Sequence, residues 1–118
     1  MATTYYDTQD LYHFSSNSFP LEISVTIGDG QGGGYLIFNG TSLIGPNKKG
    51  AISAKANIKE WITVTATVKD KLQETNWTSV TVHIKDKTNQ TSFGPYKREV
   101  ENHLDTVCYT IKIKMIEK

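Results

Sequence analysis

Cysteine is almost missing from this chain. Cys108 stands alone, so no disulfide can close within one molecule and oxidation does not hold the fold together. A reducing compartment suits such a sequence best. Arginine is as scarce: Arg98 is the only one among thirteen basic residues, the rest being scattered lysines. Readers of phosphate and bases cluster arginine with exposed aromatics, so no nucleic-acid partner is expected. No apolar run approaches the ~20 residues needed to cross a bilayer, so no membrane insertion is expected. The opening Met1-Ala2-Thr3-Thr4-Tyr5-Tyr6-Asp7 has neither a basic stretch nor an apolar core of signal-peptide type. Together these features predict a cytoplasmic protein, or an extracellular or periplasmic one if a leader has been trimmed.

Catalytic constellations are missing too. His13, His83 and His103 lie far apart, and none has metal-ligand spacing to another His, Cys or carboxylate. No helix start adjoins Cys108 to lower its pKa. No carboxylate pair stands out for glycoside chemistry. The run Gly28-Asp29-Gly30-Gln31-Gly32-Gly33-Gly34 is followed by Tyr35-Leu36-Ile37-Phe38, which reads as a strand. A phosphate-binding glycine loop must instead open a helix, so this run is expected to be a flexible connection. Calcium is conceivable where Asp29, Asp70, Glu74 and Asn76 gather at one end of an antiparallel fold, but their spacing is not that of a ligand cluster. No cofactor, metal or enzymatic activity is expected.

Alternation is what the sequence has in plenty. In Trp61–Val68, Ile62, Val64, Ala66 and Val68 oppose Thr63, Thr65 and Thr67. In Trp77–Ile84, Val80, Val82 and Ile84 oppose Ser79, Thr81 and His83. A period of two marks half-buried strands, and the two runs read as the central pair, joined by a polar loop. Leu21–Ile27 alternates likewise. Asn39-Gly40 is a hairpin turn. Ala51–Ala56 is a weak edge strand, and Ser92–Tyr96 is an edge or bulge because of Pro95. In the last strand Val107, Tyr109, Ile111, Ile113 and Met115 point inward. The prediction is one all-β domain over residues 1–118, a two-sheet antiparallel sandwich of about seven or eight strands, with a small barrel as the runner-up. This run of short strands resembles immunoglobulin-like, transthyretin-like and C2-like sandwiches. It lacks both a Cys–Trp–Cys pattern and a calcium-loop cluster, so nothing specific to those families is implied.

Residues 1–20 carry Tyr5, Tyr6, Tyr12, Phe14 and Phe19 and are read as a short arm or helical turn, starting near Asp7 and Asp10 and packed on its own domain or a neighbouring subunit. Charge is uneven. Residues 1–47 hold four acidic residues and no basic ones, whereas residues 48–118 hold thirteen basic against eight acidic, a net +5. The expectation is a non-enzymatic protein-interaction or structural module that binds a protein partner or itself, including as a subunit of a larger bacterial-type assembly. The alternative is a lectin-like carbohydrate-binding module. The residues expected to carry either role are Tyr5, Tyr6, Tyr12, Phe14, Tyr35, Trp61 and Trp77.

Overall fold

In a computed structural model, which describes residues 2–28, 31–71, 76–87 and 89–118, the chain is a β-sandwich. Nine strands form: β1 (Thr3–Phe14), β2 (Leu21–Ile27), β3 (Gly32–Asn39), β4 (Ser42–Pro46), β5 (Gly50–Ile52), β6 (Trp61–Lys69), β7 (Trp77–Lys85), β8 (Gln90–Glu99) and β9 (Thr106–Glu117). One sheet runs β1-β9-β6-β3-β4 and the other β5-β2-β7-β8. The two sheets remain separate and do not close into a barrel.

The alternating residues decide the packing. Ile62, Val64, Ala66 and Val68 of β6 and Val107, Tyr109, Ile111 and Ile113 of β9 turn inward and are buried. They meet Leu21, Ile23, Val80, Val82, Ile84 and Phe93 from the second sheet in one core. Burying each such aliphatic side chain is worth about 1.5–3 kcal/mol. At the far side of this core the Tyr109 hydroxyl lies 2.7 Å from Thr78 Oγ1, which donates to the Arg98 carbonyl at 2.8 Å.

Three elements differ from the sequence reading. First, β6 and β7 are not a hairpin. β6 pairs with β3 and β9, whereas β7 pairs with β2 and β8 in the other sheet. Alternation fixes which face of a strand is buried but not its neighbour, and two strands sharing a core can satisfy it across the sandwich as well as side by side. Second, residues 1–20 are not an arm or a helical turn. Thr3–Phe14 is a full strand, and it pairs in parallel with β9 of its own chain over twelve consecutive registers, so the sandwich is not wholly antiparallel. The chain then turns at Ser15–Ser18, where Ser18 N–H donates to the Ser15 carbonyl, and Phe14 meets Phe19 edge-on at 5.6 Å.

Third, the last three residues of the glycine run, 32–34, are strand, the opening of β3. A Cβ on Gly33 would lie 2.1 Å from the Thr67 carbonyl oxygen, so glycine there lets β3 lie close against β6. The hairpin forms at this place, but its turn is Gly40-Thr41, with Gly40 at φ 63° and Asn39 still paired with Ser42. The buried Asn39 amide holds the adjoining loop, donating to the Asn57 carbonyl and accepting from Lys59 N–H.

Candidate interaction surface

The direction of backbone groups along β1 is set by two bonds at its ends. The Ala2 carbonyl accepts from Thr106 N–H, and the Phe14 carbonyl accepts from Lys118 N–H. Residues two apart in a strand point their N–H and C=O the same way. Even-numbered residues therefore serve the β9 ladder. Thr3, Tyr5, Asp7, Gln9, Leu11 and His13 aim theirs at the open side. The Leu11 N–H bears this out, because it is capped by the Asp10 carboxylate at 3.0 Å rather than by β9.

Four strands form the edges of the two sheets among the described residues, and three of them are blunted. β4 is five residues long, ends in Pro46 and has a shift of register along its partner. β5 has three residues. β8 carries Gly94, at φ 101°, and Pro95, and its register slips there against β7. β1 has twelve residues in unbroken register, with no proline and no lysine. Short edges, proline, bulges and lysine are the usual protections against strand addition, and β1 has only the Asp10 cap.

β1 packs its inner face against β8, where Tyr12 meets Phe93 edge-on at 6.3 Å. Its inner row is half-buried at Thr4, Tyr6, Thr8 and Asp10, and buried only at Tyr12 and Phe14. Tyr6 rests against Tyr109 at 5.1 Å and Tyr96 at 6.2 Å. The Tyr96 hydroxyl donates to Asp10 Oδ2 at 2.9 Å. Burial first, then this bond and the Asp10 charge, push the Tyr96 phenol above its ordinary range. Burial, with the Asp86 charge second, does the same to Tyr12.

The outer face of the five-stranded sheet carries Tyr5, Asp7, Gln9 and Leu11 beside Cys108, Thr110, Lys112 and Lys114, then Thr67, Thr65, Thr63 and Trp61. The ammonium groups of Lys112 and Lys114 sit 5.7 and 5.9 Å from the Trp61 ring centre. An open cleft of about 420 Å3 lies among Gln9, Asp10, Leu11, Trp61 and Lys114. A second, of about 620 Å3, lies among Asp7, Thr8, Gln9, Thr110 and Lys112.

The structure thus divides the residues singled out from the sequence. Tyr5 is 74% exposed beside the open edge. Tyr6 is a half-buried bridge to the second sheet. Tyr12 and Phe14 are core residues and are not presented to a partner, and Tyr35 is half-buried against the core. Trp61 is half-buried in the outer face. Trp77 is 43% exposed in the other sheet, so the two tryptophans form no common platform. What composition did not reveal is the contribution of Asp7, Gln9 and Leu11. Their backbone, more than their side chains, faces outward, and the period of two through Tyr6, Tyr12 and Phe14 was the available signal.

Of the calcium candidates, Asp29 and Glu74 lie outside the described residues. Asp70 is fully buried, with Oδ1 accepting from Gln31 Nε2 at 2.9 Å and Oδ2 without a hydrogen-bond partner among the described residues. Its backbone is tied to Leu104 and Asp105. No group of three or more His, Cys, Asp or Glu side chains suited to a metal occurs among the described residues. His83 is spent on Thr26 and Ser92. No helix among the described residues is long and apolar enough to cross a membrane. The uneven charge is partly paired within the chain, as Glu22 with Lys49 at 3.7 Å. Comparison with protein-family models, curated proteins and solved structures finds no match to this chain.

Proposed function

We propose that this chain is a non-enzymatic protein-interaction module that accepts a strand from a partner on the open edge of β1. One observation carries the reading: β1 offers the outward N–H and C=O groups of six alternate residues along twelve in register, while the other three edges among the described residues are blunted. Strand addition draws its affinity from main-chain bonds and its selectivity from alternate side chains. With Asp7 and Asp10 and no lysine or arginine on β1, a foreign strand is best matched by one bearing lysine.

The test uses a fluorescent twelve-residue peptide of alternating threonine and valine, with lysines set to face Asp7 and Asp10. Saturable anisotropy that is lost in Gln9→Pro and kept in Trp77→Ala is the expected result. No binding, in a chain that also does not self-associate, rejects the reading.

A second reading rests on the Trp61 cleft. Two ammonium groups over an indole disfavour a neutral sugar, which would displace them, and favour a saccharide carrying carboxylate or sulfate. Calorimetry with an oligouronate, comparing the wild type with Trp61→Ala, separates this reading from strand addition, because Trp61→Ala leaves the main-chain groups of β1 in place.

A further inference from the structure

The chemistry of β1 narrows its partner to one kind of strand, an inference that rests on strand addition as its mode of binding. An antiparallel strand docking on β1 completes hydrogen-bonded pairs only where outward-facing residues oppose one another. For two copies related by a twofold axis, both members of such a pair are odd-numbered, so the axis must fall on a residue and not between two.

The sequence of β1 then chooses among the axes. An axis at Asp7 sets the two Asp7 carboxylates directly opposite, and one at Asp10 does the same to Asp10; like charges opposed across strands are destabilising. An axis at Gln9 opposes Asp7 to the second copy's Leu11, an apolar side chain, and Tyr5 to its His13. An axis at Tyr6 shortens the overlap. An axis at Thr8 opposes Asp7 to the second copy's Gln9, Tyr5 to its Leu11 and Thr3 to its His13 on the outer face. On the inner side it opposes Tyr6 to Asp10. It also lies within half a residue of the centre of Thr3–Phe14, so the overlap is maximal. Tyr5 and Leu11, at 74% and 52%, are the two most exposed large hydrophobic residues among those described, and they stand equally far from Thr8.

We propose that the partner is a second copy of this chain, pairing β1 with β1 in antiparallel fashion about a twofold axis at Thr8 and joining two five-stranded sheets into one of ten strands. Residues 5–11 then exchange about eight main-chain hydrogen bonds. The Leu11 N–H gives up its exposed Asp10 cap for the second copy's Tyr5 carbonyl. The half-buried inner row at Thr4, Tyr6, Thr8 and Asp10 gains flanking neighbours from the second copy.

The experiment combines light scattering with disulfide trapping in a Cys108→Ser background. The expected mass is that of a dimer at roughly 100 μM, dissociating on dilution as small interfaces do. At the proposed axis Thr8 faces its own copy with Cα atoms about 4.5 Å apart, and Asp7 faces Gln9 at about 5.5 Å, both within disulfide reach. Thr8→Cys alone therefore links on mild oxidation. Asp7→Cys and Gln9→Cys link when mixed and not singly. Gln9→Pro and Leu11→Lys each weaken association at least tenfold. A monomer at 1 mM overturns the inference, and so does linkage of Asp7→Cys or Gln9→Cys with itself in place of the mixture. If the chain is monomeric but still binds the lysine-bearing peptide in a Gln9→Pro-sensitive way, only the second-copy inference fails. If it does neither, strand addition fails as well.

Discussion

Proline scanning of β1 separates neighbouring residues by the direction of one N–H. Thr8 donates inward to the β9 ladder, and Gln9 points to the open side, as the bonds of Ala2 and Phe14 to β9 require. Thr8→Pro removes a ladder bond worth about 1 kcal/mol and strands a β9 carbonyl at a further cost of about 1–3 kcal/mol. The sum, ~2–4 kcal/mol, corresponds to a fall of roughly 8–16 °C in Tm for a domain of this size. Gln9→Pro removes an N–H that the isolated molecule leaves to water. An extended residue before it suits proline, and an edge strand tolerates it, so the change stays within about 1 kcal/mol of wild type. The assay is thermal and urea unfolding of both variants at low micromolar concentration, where association does not contribute. Equal destabilisation by the two prolines, or a greater loss from Gln9→Pro, would show that the backbone phase of β1 is wrong, and the edge argument would go with it.

Other expectations come from single contacts. Gly33→Ala forces a Cβ toward the Thr67 carbonyl and should cost about 1–3 kcal/mol as an overpacked site, read as a lower urea midpoint; an unchanged midpoint would mean that β3 and β6 are farther apart. Asn39→Ala removes two side-chain bonds to the loop at 57–59 and leaves Lys59 N–H and the Asn57 carbonyl unserved, for about 1–3 kcal/mol, with hydrogen exchange rising first in that loop. Tyr12 and Tyr96 have pKa values raised in the fold, so the neutral phenol is the form the fold favours. Their contribution is complete below pH ~10 and is lost as pH climbs through and above that value. Phenolate absorbance should show Tyr12 and Tyr96 ionising above the ordinary phenol range, and Asp10→Asn should bring Tyr96 down. A single common ionisation near pH 10 would contradict the Tyr96–Asp10 contact.

The sequence made the interior legible and the perimeter obscure. Val107, Tyr109, Ile111, Ile113 and Met115 announce their face because both sides of β9 are flanked and its inner row is covered along its whole length. β1 obeys the same geometry with a weaker hydropathy pattern. Its inner row contains Thr4, Thr8 and Asp10, and is only half-buried along much of its length. Its outer row contains Tyr5 and Leu11. Asp7 and Asp10 then imitate the start of a helix. The wrong pairing of β6 with β7 has another cause: adjacency in sequence suggests a hairpin, but nothing in the alternation of Val64 or Val82 says which strand lies alongside. The glycine run misled because a loop and a tightly packed strand both call for glycine, and only the nearness of Thr67 tells them apart.

The parallel pairing of β1 with β9 brings the first and last strands of the fold together and sets how it responds to tension. Ala2 lies at one end of the shared ladder and Lys118 at the other, along a molecule 46 Å long. Pulling the two ends apart drags β1 and β9 lengthwise in opposite directions, so the ladder bonds carry the load together instead of opening one by one. The same ladder peeled from Ala2 sideways would yield a bond at a time. Single-molecule stretching between the ends should therefore meet a high, abrupt rupture force, and pulling from position 2 against position 106 a much lower one.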